Sequence, residues 1–93
     1  MTRVLIQSPA FIRGARRVAK KQPAAAEAIR LTLTQLHADA FAPRLRTHKL
    51  KGDLAGYWAC SAGYDLRIVF QLVQHDGAEA VLLLSIGTHD EVY

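Results

Sequence analysis

The chain has 93 residues, 51% of them hydrophobic and 22% charged, with a formal net charge of +4. That is long enough for a modest core, its apolar runs are too short to cross a bilayer, and its one cysteine, Cys60, excludes an internal disulfide and suits a reducing compartment. The charge is lopsided: residues 1–51 carry 11 of the 12 Lys/Arg and two acids, a net +9, whereas residues 52–93 carry one base and six acids, a net −5.

The opening stretch MTRVLIQSPAF lacks the apolar region and cleavage site of a signal peptide, and RVLIQ (3–7) reads as a short strand. Ser8 followed by Pro9 is a helix-start signal, a capping hydroxyl before a first-turn proline. The helix PAFIRGARRVAKKQ sets Phe11, Ala15, Val18 and Ala19 on one face and Arg13, Arg16, Arg17, Lys20 and Lys21 largely elsewhere, with Gly14 weakening it slightly. Pro23 opens a second helix, PAAAEAIRLTLTQLHAD, whose Ala25, Ala28, Ile29, Leu33 and Leu36 repeat at helical spacing. So short a break between two helices predicts a helical hairpin.

FAPRLRTHKLKGDLAG reads as irregular, punctuated by Pro43, Gly52 and Gly56, and as basic, with Arg44, Arg46, His48, Lys49 and Lys51 close together. Three strands are expected after it: YWACSA (57–62), YDLRIVFQLV (64–73) and AVLLLSI (80–86). The second alternates Leu66, Ile68, Phe70 and Leu72 against Asp65, Arg67, Val69 and Gln71, and Asp76-Gly77 is a hairpin signal between the second and third. The whole reads β-α-α-β-β-β: one α+β domain over 1–93, an antiparallel sheet packed on a two-helix hairpin.

A cationic first half fits an anionic partner, nucleic acid or an acidic peptide, or else a solvated basic face. The four histidines are scattered, so no metal or other cofactor is expected; His37 and His75 read as surface residues, and Cys60 as a small strand hydrophobe. Asp65 and Arg67, two apart on one strand, should share the sheet face that the helices leave open. Gly87 should end the last strand so that His89 and Tyr93 fold back beside that face.

The run HKLKGDLAGYWACSAGYDLRIVFQLV, followed by LLLSIGTHDEVY, resembles the RelE/YafQ family of bacterial type II toxins over roughly Arg44 to Tyr93, with matching element order over the whole chain. The resemblance implies a compact α+β toxin that acts as a metal-independent endoribonuclease on mRNA at the translating ribosome. It also implies cytoplasmic action and a cognate antitoxin, through which alone operator DNA would be contacted. His48 in THKLKG, Asp65 after GY, His89 in GTH and the terminal Tyr93 match YafQ-type site positions, and Arg67 matches a RelE-type phosphate contact. Metal-free RNA cleavage needs a proton acceptor for the 2′-hydroxyl, a proton donor for the leaving 5′-oxygen and cations for the developing charge. The implied roles are His89 as general acid and His48 as base or phosphate contact. Asp65 would assist as base or orient a histidine, Arg67 would stabilise the transition state, and Tyr93 would stack on a base. Arg44, Arg46, Lys49 and Lys51 would hold the RNA backbone. Ser61 and Ser85 stand where the YafQ pattern has a histidine and an arginine. The missing histidine at Ser61 keeps open a weakened antitoxin-binding module; a second alternative is a ParE-like gyrase inhibitor of the same fold, in which His48, His89 and Tyr93 would have no task.

Overall fold

The computed structural model describes residues 2–63 and 65–92. The elements run β1 (Leu5–Gln7), α1 (Pro9–Lys21), α2 (Pro23–Ala38), β2 (His48–Lys49), β3 (Trp58–Ala62), β4 (Leu66–His75), β5 (Ala78–Thr88) and α3 (His89–Val92). Short 3-10 turns at Pro43–Leu45 and Gly52–Leu54 flank β2. The sheet has the order β1-β5-β4-β3-β2; β1 joins β5 in parallel and every other pairing is antiparallel.

Local chemistry fixes the boundaries. The Ser8 hydroxyl accepts from Phe11 N at 3.1 Å and Pro9 takes the first helical position, so α1 starts where the sequence places it. Pro23 starts α2 the same way, but without a side-chain cap. Asp76 and Gly77 both take positive φ (50° and 81°), as a two-residue type I′ hairpin between β4 and β5 requires.

The helices cover one face of the sheet. Phe11, Leu36, Cys60, Ile68, Phe70, Val81 and Leu83 are fully buried there. Each such large apolar side chain contributes roughly 1.5–3 kcal/mol by leaving water. Burial pushes the Cys60 thiol up to about 12, so it stays protonated and packs as a hydrophobe. Gly14 is a contact residue as well as a weak helix former: a Cβ there would stand 3.1 Å from Ile86 Cγ2, so its absence lets α1 lie close on β5.

Two details depart from simple strand reading. The stretch expected to be irregular contains β2, a two-residue edge strand that pairs His48 with Ala59 and Lys49 with Trp58. In β5, the register shifts between the pairs Val69↔Ser85 and Phe70↔Leu83, leaving Leu84 as an extra residue. This bulge lets Leu83 and Ile86, three positions apart, both reach the core cluster. It also moves Ser85 and Gly87 to the opposite face, away from the helices.

Candidate functional site

That helix-free face carries the candidate site. Pairing across the strands gives one row His48–Ala59–Val69–Ser85 and the next row Ser61–Arg67–Gly87. His48 and Arg67 therefore share a face, separated by two strand spacings of about 4.8 Å and two residues of about 3.3 Å, on the order of 12 Å between Cα atoms. Arg67 is half-buried and its Nη1 donates to the Leu66 carbonyl at 3.0 Å, which restricts the guanidinium. Ser61 pairs directly with Arg67, and Ser85 lies in the row of His48, so both departures from the YafQ pattern fall inside the site.

His48 is exposed, with Nδ1 2.9 Å from the Arg46 carbonyl. A proton on Nδ1 donated to that carbonyl makes Nε2 the basic nitrogen. The geometry depends on Arg46 itself, which takes the left-handed conformation (φ 53°, ψ 39°) after the Pro43–Leu45 turn and swings the chain into β2. The Arg46 backbone thus forms the corner that presents the histidine, while its side chain is exposed.

The remaining basic candidates divide between surfaces. Arg44 borders a groove of about 290 Å³ with Leu31, Gln35 and Ser61, and Lys51 is exposed ahead of the second 3-10 turn. Lys49 alternates to the helix side of the sheet, where its Nζ lies 5.5 Å from the Trp58 ring centroid. Trp58 meets Phe41 edge-on at 5.1 Å, and Arg3 lies 5.4 Å over Phe41 while pairing with Glu79 at 2.9 Å. Lys49 thereby ends a row of cations and rings on the face opposite His48.

Asp65 is a correction. Strand alternation put it beside Arg67, but β4 begins at Leu66 and Asp65 lies in the β3–β4 turn, where Gly63 has φ +82°. It lines a cavity of about 420 Å³ with Gln22, Ala25, Ala28 and Thr88, at the end of the helical hairpin. Alternation has no force in a turn, so the two-residue spacing does not bring these side chains together.

Gly87 is a second correction. It does not end the last strand: β5 runs through Thr88, and His89 opens α3. Gly87 is instead needed for close approach, since a Cβ there would stand 3.0 Å from Glu91 Cβ. Thr88 and Glu91 close a reciprocal capping box: Thr88 N donates to Glu91 Oε1 at 2.7 Å, and Glu91 N donates to Thr88 Oγ1 at 3.3 Å. The T-x-x-E of THDE announces this box, and sequence reading passed over it. Those bonds from the Thr88 amide and hydroxyl hold the Glu91 carboxyl below its ordinary value, and the charges of Arg17 and Lys21 lower it further. His89 lies inside the box, exposed, with Nδ1 3.6 Å from Asp90 Oδ1. Tyr93, the expected stacking residue, lies outside the described residues.

No helix among the described residues is long and apolar enough to cross a membrane. No curated protein matches the chain by sequence. Solved structures share its fold. YafQ from E. coli strain BL21(DE3) superposes with a TM-score of 0.77 at 16% identity, covering 98% of each chain. The YoeB/ParE toxin from Agrobacterium tumefaciens gives 0.75 at 19% identity, covering 92% of this chain and 98% of that one. A chain of the E. coli DinJ–YafQ toxin–antitoxin complex gives 0.75 at 17% identity, covering 100% and 99%. The family described as the bacterial toxin of type II toxin–antitoxin system, YafQ, matches residues 4–93, and the chain belongs to that family.

Proposed function

We propose that this toxin is a metal-independent endoribonuclease that cuts mRNA on the translating ribosome. The observation that carries the reading is the shared helix-free face: His48 and Arg67 lie in adjacent rows, and β5 pairs Gly87 with Arg67 two residues before His89. On this reading the face would hold one phosphodiester between a proton acceptor, a cation and a proton donor. His48 Nε2 takes the 2′-hydroxyl proton as O2′ bonds to phosphorus. The P–O5′ bond breaks and His89 protonates the leaving oxygen, giving a 2′,3′-cyclic phosphate and a 5′-hydroxyl. Arg67 offers a forked donor to the phosphate oxygens as charge builds on them. Tyr93 would stack on a base by resemblance, and Asp65 would act from its turn by orienting a histidine rather than by touching the phosphate.

The partners follow from charge. The exposed Arg13, Arg16, Arg17, Lys20 and Lys21 of α1, with Arg44, Arg46 and Lys51, suit the ribosome's RNA and the acidic segment of a cognate antitoxin. Contact with operator DNA would then pass through the antitoxin, in the cytoplasm. The DinJ–YafQ complex, a toxin of the same fold bound to its antitoxin, supports an antitoxin partner here.

The test is cleavage of a defined mRNA in a purified translation system. Wild type should cut at ribosome-bound codons, and His89→Ala should lose about 10²–10⁴-fold in rate. Arg67→Ala should lose about 10²–10³-fold. A second reading, a binding-only toxin, draws on Ser61 and Ser85 standing in the two site rows. Ribosome binding by folded wild type without any cutting would select it.

A further inference from the structure

α3 spans only four residues, His89–Val92, far too few to hold a helix by propensity. Three features hold it, two of them local and one tertiary. The Thr88–Glu91 box closes on both sides, at 2.7 and 3.3 Å. Gly87 leaves room for Glu91, whose Cβ and Oε1 would stand 3.0 and 3.1 Å from a Cβ at that position. Glu91 also borders a cavity of about 210 Å³ with Arg17, Val18, Lys21, Leu66 and Thr88, so its carboxylate lies in the field of two α1 cations. His89 lies between Thr88 and Glu91 in sequence, and both its flanks are therefore tied to the body of the protein.

We propose that Glu91 is a positioning residue for the cleavage reaction: through Thr88, over Gly87 and beside Arg17 and Lys21, it fixes the backbone that carries His89. This rests on the reading of His89 as the proton donor. The carboxylate touches no reacting atom. It acts by holding the imidazole within the narrow range of placement that proton transfer to the leaving oxygen demands, and displacement by about 1 Å can cost about a hundredfold in rate.

The experiment measures kcat and KM for cutting of programmed ribosomes, together with hydrogen-exchange protection of the Thr88 amide, in the full chain. Glu91→Ala should keep the wild-type melting temperature and KM, lose Thr88 protection, and lose about a hundredfold in kcat. Glu91→Gln should retain most of both readouts, because its amide oxygen still accepts from Thr88 N. Thr88→Ser should behave as wild type and Thr88→Val as an opened box, which gives an independent route should Glu91→Ala fold poorly. Loss of Thr88 protection with unchanged kcat would overturn the proposal, as would a rise in KM at constant kcat, which would make Glu91 a substrate contact. A folded wild type that cuts nothing would instead overturn the ribonuclease reading, and this proposal with it.

Discussion

His48 is oriented by a neighbour's backbone. Arg46 stands in the left-handed region, an unusual place for a residue with a Cβ, and the carbonyl it presents accepts from His48 Nδ1 at 2.9 Å. His48→Asn separates the two roles open to this residue, since its amide can still donate to that carbonyl while offering no titratable nitrogen. Cleavage falling by about 10²–10⁴-fold would assign general base, and cleavage near wild type would leave only a phosphate or structural contact. Arg67→Lys is a comparable test of the fork. The lysine keeps a positive charge but cannot donate bidentately, so the rate should fall while melting is unchanged. Residue identity alone showed His48, Arg67 and His89 as candidates, because few side chains move protons or grip phosphate. It did not show that Asp65 leaves the row, since a two-residue spacing has meaning only where both residues are in the strand.

Among the elements, β5 decides most. Strict alternation from Val81 and Leu83 would turn Gly87 toward the helices; the extra residue at Leu84 turns it to Arg67's face instead. The bulge satisfies the core, where Leu83 and Ile86 must both be buried, and the site geometry follows from that packing demand. The same demand explains Gly14. Gly14→Val would gain roughly a few tenths of a kcal/mol in helix propensity but would drive methyl groups into Ile86, so thermal unfolding should show a net loss of about 1–3 kcal/mol. At the other end of β5, α3 responds to pH through Glu91. Its carboxyl is held below the ordinary 4.5, so the capping box contributes fully at neutral pH and is lost as pH falls from that value through the lowered one. Thr88 amide protection followed down the acid limb should therefore persist below pH 4.5 before it fails.

At the scale of the molecule, charge is segregated by sequence half and then redistributed by folding. α1 carries a cationic stripe at positions 13, 16, 17, 20 and 21, with no acid in the helix to offset it. Its far end, Arg17 and Lys21, reaches α3 and the His89 segment. Ribosome association should therefore fall steeply with salt, with a slope in log–log form set by the number of phosphates engaged, roughly 0.7–0.9 per contact. Replacing Arg13, Arg16 and Lys20 together by Glu should flatten that slope and weaken binding. A slope unchanged by the triple variant would remove α1 from the RNA interface and leave it to the antitoxin.

The sequence by itself determined the two long helices, the β4–β5 hairpin and the family, because these depend on local signals: Ser8 and Pro9 at a helix start, Asp76-Gly77 at a I′ turn, apolar residues at period 3.6 or 2, and motifs in fixed order. Its charge asymmetry and its scarce proton-active side chains were equally plain. The tertiary structure alone decided which of those side chains share a face. Pairing of a two-residue edge strand put His48 on the face of Arg67, and a bulge demanded by core packing moved Gly87 there. A turn took Asp65 out of that row, and packing set Glu91 of the capping box beside Arg17 and Lys21 of α1. The edge-strand pairing and the bulge depend on contacts between residues distant in sequence or on a one-residue change of register, which local periodicity does not contain; the turn and the T-x-x-E box are local, and packing sets where they lie against the sheet and α1.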